Sequence, residues 1–211
     1  MTEVEVYVDP SCPWAWVTSR WVAEVAPHRG LHVTWPSYCL EIRDDYDVAP
    51  TVSPERREAV IKAHAVSHRM LRIFEAARAR SGEDAVDALY TEWGRLHFVE
   101  RAARGDDLLR ATLAAAGCDA DLFDAADDEK WDEPITASME IAFAFGGKKT
   151  QTPTIVVRDE PAHGFKGPVM EPAPTGDDAL VMWDALVALS RMPGFYEFTR
   201  PRRIAPFTRR G

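Results

Sequence analysis

Polar and apolar residues alternate through "EVEVYV", residues 3 to 8, with the period of two that a half-buried strand requires. Asp9-Pro10 breaks the alternation and marks the strand's exit. From Pro13 the period changes. Trp14, Val17, Trp21, Val22 and Val25 recur at helical spacing, and Pro13 suits a first turn, where its missing N–H costs nothing. Pro27 and Gly30 are expected to end that helix. "LHVTWPSYCL", residues 31 to 40, predicts a second strand. Strand, helix and strand in such close succession make a βαβ unit whose strands are parallel neighbours.

Residues 41 to 54 read as an acidic, proline-containing linker, and Ser53-Pro54-Glu55 then carries the start signals of a helix. From there to residue 146 the periodicity is helical. It predicts helices over 55–80, 83–99, 106–116, 119–127 and 131–145, punctuated by Gly82, Gly105, Gly117 and Gly146-Gly147. Extended chain returns at "TPTIVVRD", residues 152 to 159, and a turn at Glu160-Pro161 leads to the short antiparallel strand "HGFKG". Residues 176 to 192 form a closing helix with Asp177 and Asp178 in its first turn, where the macrodipole favours acids. Without the helical block the order is β-α-β-α-β-β-α, that of the thioredoxin fold. The expected fold class is therefore α/β. A thioredoxin-like domain spans 1–50 and 130–211, with a large all-helical insertion over 51–129.

At 211 residues, 46% hydrophobic and 28% charged, the chain suits a soluble globular protein that buries a full core without staples. No apolar run is long enough for a membrane span. The acidic N-terminus lacks the basic and apolar regions of a secretory leader. Three cysteines, at 12, 39 and 118, do not make a disulfide framework, so a reducing cytoplasm is the expected location. The net charge of -9 argues against nucleic acid as a partner. The last dozen residues, "RPRRIAPFTRRG", hold five arginines and no acid. They read as a tail that wraps its own acidic body or meets an anionic partner.

The chemistry gathers at "DPSCPWAW", which sets Cys12 where strand gives way to helix. Unpaired N–H groups and the positive end of the macrodipole face the sulfur there. A free thiol has a pKa of roughly 8.5, so neutrality demands a drop of about 1.5 units, or roughly 2 kcal/mol. A helix N-terminus supplies about 0.3–1 kcal/mol when exposed and up to about 2 when partly buried. The tryptophans of "PWAW" supply that shield. A lowered Cys12 pKa is therefore expected, and Asp-Pro-Ser-Cys-Pro is a poor place to bury an inert cysteine.

Three residues on, where a dithiol site has its second cysteine, stands Ala15. The thiolate survives this change, but the sulfur that would release a mixed adduct is gone. An external thiol must then do so. Cys39 is an alternative resolver if the two Cα atoms lie within about 7 Å; its plainer reading is a small buried hydrophobe. Cys118, after Ala116-Gly117, reads as a helix-end packing residue. Thr152-Pro153-Thr154 enters the third strand, the place where thioredoxin folds set a cis-proline against the helix-1 cysteine.

"DPSCPWAWVTSRW" (9 to 21), "TPTI" (152 to 155), "GPV" (167 to 169) and "MWDALVALSRMPGFYEFTR" (182 to 200) together resemble the DsbA-like thioredoxin-fold proteins. Within them the chain is similar to the actinobacterial mycothiol-dependent nitroreductase family, whose characterised type carries Cys-Pro-Trp-Cys. The resemblance implies Cys12 as nucleophile, Trp14 and Trp21 as pocket residues and Pro153 as the cis-proline. Pro13 and Thr152 are expected, with Trp14 and Pro153, to contact the thiol cosubstrate. The resolving cysteine has no counterpart here, and the linker with Asp44 and Arg56 departs from the family's pocket. Kappa-type glutathione transferases and chromene-carboxylate isomerases share the inserted architecture and handle a thiol cofactor with a single Ser or Cys.

On the inserted helices, His97 and Trp93 in "YTEWGRLHFV" are candidate substrate contacts. His97 would donate to substrate or, when charged, stabilise the thiolate. His64 and His68 have i,i+4 metal-ligand spacing but no third ligand nearby, so no metal is expected. Lys148 and Lys149 precede the proline loop and could meet an anionic cofactor group, or simply be solvated. The reading is a monothiol oxidoreductase with no tightly bound cofactor. It takes a small-molecule thiol, mycothiol or glutathione-like, as cosubstrate and a disulfide or electrophile as substrate, with no nucleic-acid or membrane partner. Its rivals are a kappa-transferase or isomerase-like enzyme that binds the thiol non-covalently, and a non-catalytic binding relative.

Overall fold

A computed structural model of the chain describes residues 1–43, 53–147, 151–198 and 200–201. Its sheet is built around β1 (Thr2–Tyr7), where Val4 and Val6 are fully buried and Glu3 is exposed, as the alternation predicts. β1 pairs in parallel with β2 (Leu31–Thr34) and antiparallel with β3 (Thr154–Val157). β4 (His163–Lys166) joins antiparallel to β3, and the order is β2-β1-β3-β4. Every residue of β3 is buried, which requires cover on both faces of the sheet. α1 (Pro13–Arg29) packs on β2 and on the closing helix, α6 (Gly176–Ser190). α5 (Asp132–Gly146) packs on β3 and β4. This is the expected thioredoxin-like arrangement.

Between β2 and α5 lies the helical insertion: α2 (Pro54–Ser81), α3 (Glu83–Gly94) and α4 (Asp106–Ala115), with a π turn over Arg95–Val99 and 3₁₀ segments over Ala120–Asp127 and Glu129–Trp131. α2 starts as its signals require. The Ser53 hydroxyl accepts the Arg56 N–H at 3.3 Å, and Pro54 occupies the first turn. Met70, Leu71, Ile73 and Phe74 of α2 are fully buried and join Val4, Val6 and Ile155 of the sheet in one apolar cluster. No helix among the described residues is long and apolar enough to cross a membrane.

Among the element ends that differ from expectation, two have a clear local cause. Pro27 does not stop α1, which runs on to Arg29. A proline in the last turn forgoes only one hydrogen bond, and Gly30 ends the helix in the left-handed conformation at φ 60°. β2 stops at Thr34 rather than at residue 40 because Pro36 interrupts the ladder. Pairing resumes only as a single bridge between Val8 and Ser37, so Cys39 lies beyond the strand rather than at its carboxyl end.

Gly94, at the junction of α3 and the π turn, seats the insertion on α1. A Cβ there would lie 2.1 Å from the Trp16 ring. That ring is held on its other sides, stacked on Phe98 at 6.0 Å, edge-on to Tyr90 at 5.9 Å and covered by Arg20 at 4.4 Å. The backbone at Gly94 is ordinary right-handed helix, so alanine would by propensity alone stabilise it by up to about 1 kcal/mol. The contact reverses the sign. Gly94→Ala is expected to cost about 2–3 kcal/mol by overpacking, lowering the melting temperature by roughly 5–10 °C. A raised melting temperature would show that Trp16 does not sit on Gly94.

Candidate functional site

Cys12 is the N-cap residue of α1, with Pro13 behind it and no acidic side chain in the helix's first turn. It is 7% exposed. Its backbone N–H donates to the Asp9 carbonyl at 2.9 Å, and its thiol donates to the Thr152 carbonyl at 3.6 Å. Thr152 in turn is fixed by its hydroxyl, which donates to the Tyr7 carbonyl at 2.8 Å, and the Thr152–Pro153 peptide is cis. The chain thus brings Cys12, Pro13, Thr152 and Pro153 together across 140 residues, as the sequence leads one to expect. In this thiol form the sulfur takes no cap hydrogen bond from the first N–H groups of α1. Ala15 is fully buried at the position a second sulfur would occupy.

The loop carrying Cys12 is fixed by Asp9, which in the sequence reads only as a strand breaker. The Asp9 carboxylate is fully buried. It accepts from the Ser11 N–H at 2.7 Å, the Ser11 hydroxyl at 2.6 Å, the Leu40 N–H at 2.8 Å and the Ser67 hydroxyl. Ser67 also accepts from the Ser11 N–H at 3.0 Å. One buried carboxylate therefore ties the Cys12 loop, the chain after β2 and helix α2. Its contact with its own i+2 N–H is an Asx turn, a pattern that Asp9-Pro10-Ser11 carries in its sequence. The Ser67 contact has no local signal.

Trp14, partly buried, packs against the core edge beside Cys12. Trp21 corrects the expectation. It is 1% exposed, its indole N–H donates to the Ala179 carbonyl at 3.1 Å, and its ring meets Trp183 at 5.8 Å. It clamps α1 to α6 and offers no surface to a substrate. Trp93 is likewise fully buried, and its indole N–H donates to the Pro10 carbonyl at 2.7 Å. It holds the Cys12 loop from the insertion side and offers no surface to a substrate.

His97 lies half-buried beside Trp93 and Phe98, at ring distances of 5.9 and 4.8 Å. Its Nδ1 pairs with the Ala102 carbonyl at 3.0 Å. A carbonyl only accepts, so Nδ1 carries the proton. Burial, helped by Arg104 and Arg101, pushes its pKa below the ordinary histidine value despite the Ala102 hydrogen bond. His97 is thus a neutral imidazole with Nε2 as an acceptor near pH 7, not the cation that would support a thiolate by charge. A cleft of about 460 Å³, lined by Leu96, Ala102, Arg104 and Leu108 among others but not by Cys12, reaches its Ala102 anchor.

The remaining cysteines are free thiols with other duties. Cys39 is fully buried, and its sulfur accepts the Ile42 N–H at 3.5 Å. Burial above all, with Asp9 and Glu41 adding to it, pushes its thiol far above the ordinary value. It is the buried hydrophobe of the plainer reading, unfit as placed to resolve an adduct. Cys118 follows Gly117, whose φ is 67°, and its N–H closes the end of α4 on Leu113. His68 is held between Glu41 at 2.8 Å and Asp132 at 2.7 Å, and His64 faces Asp9 and Glu41. Both ring nitrogens of His68 are therefore occupied by carboxylates. Asp44, Lys148 and Lys149 lie outside the described residues.

A family model described as "Mycothiol-dependent nitroreductase Rv2466c" matches residues 11–200. "Uncharacterized protein Rv2286c" of Mycobacterium tuberculosis (strain ATCC 25618 / H37Rv) is 28% identical over 207 residues, 97% of this chain and 84% of that protein. Among solved structures, the probable DsbA oxidoreductase SCO1869 from Streptomyces coelicolor superposes with a TM-score of 0.60 at 20% identity, covering 97% of this chain and 94% of the other. The cytosolic disulfide reductase DsbM from Pseudomonas aeruginosa, solved with GSH, gives 0.58 at 18% identity, over 89% and 100%. At these identities the two structures bear on the fold alone.

Proposed function

The chain belongs to the Rv2466c-like mycothiol-dependent nitroreductase family, and on that premise we propose that it is a thiol-dependent oxidoreductase acting through the single sulfur of Cys12. The observation that carries the reading is the pairing of Cys12, at the start of α1, with the Thr152–Pro153 turn while Ala15 fills the second position. The Cys12 thiolate attacks a small disulfide RS–SR. A Cys12–S–SR bond forms, the RS–SR bond breaks, and RS⁻ leaves with a proton from solvent. With Ala15 inert and Cys39 buried, an external thiolate R′S⁻ then attacks the mixed disulfide. It forms RS–SR′ and returns Cys12 as thiolate.

Mycothiol, or a glutathione-like thiol, is the expected R′SH. The family description supports the first, and a protein of the same fold, DsbM, is solved with GSH. Pro13, Trp14, Thr152 and Pro153 would contact that thiol, and the Nε2 of His97 would accept a hydrogen bond from the ligand. In a steady-state assay with bis(2-hydroxyethyl) disulfide, turnover is expected to be absent without external thiol and to saturate with mycothiol or glutathione. If no thiol in such a panel supports turnover, the reading is wrong and the pocket belongs to a binding protein.

A further inference from the structure

Helix α1 is tied to the turn that faces Cys12 by a second side chain, Thr18. Thr18 is fully buried six residues after Cys12, about 9 Å along the helix. A hydroxyl inside a helix ordinarily bonds back to a carbonyl one turn earlier. The neighbouring Ser19 does so, donating to the Trp16 carbonyl at 2.8 Å. Thr18 instead reaches out of its helix and donates to the Pro168 carbonyl at 2.7 Å. Pro168 follows Gly167, whose N–H donates to the Pro153 carbonyl at 2.8 Å. Gly167 stands at φ 96°, a conformation open to glycine and strained for any other residue.

These bonds close a ring. The Cys12 thiol donates to the Thr152 carbonyl at 3.6 Å, Gly167 donates to Pro153, Thr18 donates to Pro168, and α1 leads from Thr18 back to Cys12. Within the sheet the turn is already held. The Thr152 hydroxyl reaches the Tyr7 carbonyl at 2.8 Å, and the Gly167–Pro153 bond extends the β3–β4 ladder beyond the Thr154–Lys166 pair. Neither of those two bonds sets the turn's place against the helix that carries the sulfur. The thiol's own bond does not last through the cycle. The proton it donates is gone once Cys12 ionises or carries an adduct. The Thr18 bond uses no atom of Cys12 and persists through both steps.

Resting on the monothiol reading, we infer that Thr18 is a positioning residue: through Pro168 and Gly167 it holds the Thr152–Pro153 turn in place against Cys12. A disulfide docked on that turn then meets the sulfur in the geometry that exchange requires. A misplacement of about 1 Å costs such a reaction a large factor in rate. The reactivity of the sulfur toward a small reagent that makes no use of the turn is untouched.

The test compares the wild-type protein with Thr18→Val, which keeps the shape without the hydroxyl, Thr18→Ala and Thr18→Ser, each checked for folding by its melting curve. Both hydroxyl-free variants are expected to lower kcat/KM for bis(2-hydroxyethyl) disulfide by about tenfold, the effect of one lost hydrogen bond. Alkylation of Cys12 by iodoacetamide is expected to be unchanged, and serine to restore turnover. A folded Thr18→Val with wild-type kcat/KM overturns the inference. So does an alkylation rate that falls as far as turnover, or a folded serine variant that behaves like valine. Hydrogen exchange at the Gly167 amide reads the same link without any turnover. It is expected to be faster in the hydroxyl-free variants, and an unchanged rate overturns the inference. The monothiol reading is judged separately by the wild type: absence of thiol-dependent turnover there counts against that reading, whatever Thr18 does.

Discussion

Replacing Cys12 by serine is expected to abolish thiol-dependent turnover, by at least about a thousandfold, with little change in stability. In the proposed cycle Cys12 makes and breaks every covalent bond, so nothing remains without it. A hydroxyl does not exchange with a disulfide under any condition the fold can create, and no second thiol stands in for it. Cys39 is fully buried with its thiol held protonated, and Cys118 lies at the far end of α4. The same variant separates the rivals. A kappa-transferase or isomerase-like enzyme, which orients a bound thiol without bonding to it, would keep much of its rate with serine. Retention of more than about a tenth of the wild-type rate would move the weight to that mechanism. The substitution is also structurally mild, since the serine hydroxyl can still donate to the Thr152 carbonyl that the thiol now uses.

The largest loss of stability is expected from Asp9→Asn. The carboxylate accepts two backbone N–H groups, from Ser11 on one oxygen and from Leu40 on the other. An asparagine has a single accepting oxygen. Its amide nitrogen must face either the Leu40 N–H or the cluster of Ser11 and Ser67 donors, and a backbone donor cannot rotate away. One buried N–H is left unpaired at about 1–3 kcal/mol, and hydrogen bonds to a charge are lost. A total of about 2–4 kcal/mol follows, read as a melting temperature lower by roughly 5–15 °C. The electrostatic consequence runs the opposite way. Removing an anion three residues from Cys12 would by itself favour the thiolate. A less reactive Asp9→Asn enzyme would therefore report the loss of loop geometry and not of charge. A melting temperature within about 1 °C of wild type would show that the Asp9 network is not what fixes the loop.

The elements legible in the sequence are those whose cause is local. The alternation of β1, the periodicity of α2 and α4 and the Ser53-Pro54 start are short-range patterns, and they reappear within a residue or two. Cys12 and Thr152–Pro153 were readable as a pair because the order of strands and helices places them together. What escaped is what depends on distant partners. Trp21 and Trp93 look like pocket residues on a helix face, but bonds to Ala179 and Pro10 commit them to the interior. The hydrogen bond from Ser67 to Asp9 spans 58 residues, and no local pattern announces it. The π turn that carries His97 is too short for a change of period to show, and its fit depends on a single glycine beneath the Trp16 ring. Thr18 reads in the sequence as one polar residue on an amphipathic helix. Only its bond to Pro168, 150 residues away, shows what it holds.

The central claim, one sulfur that depends on an outside thiol, is tested most directly by intact mass. The reduced protein is mixed with an oxidised low-molecular-weight thiol, sampled over time, and then given the reduced form. The account predicts a single adduct per chain, mapped to Cys12, that persists unchanged until external thiol is added and then disappears. An adduct that decays unaided into an internal disulfide, or protein that gains no mass at Cys12 at all, would contradict it.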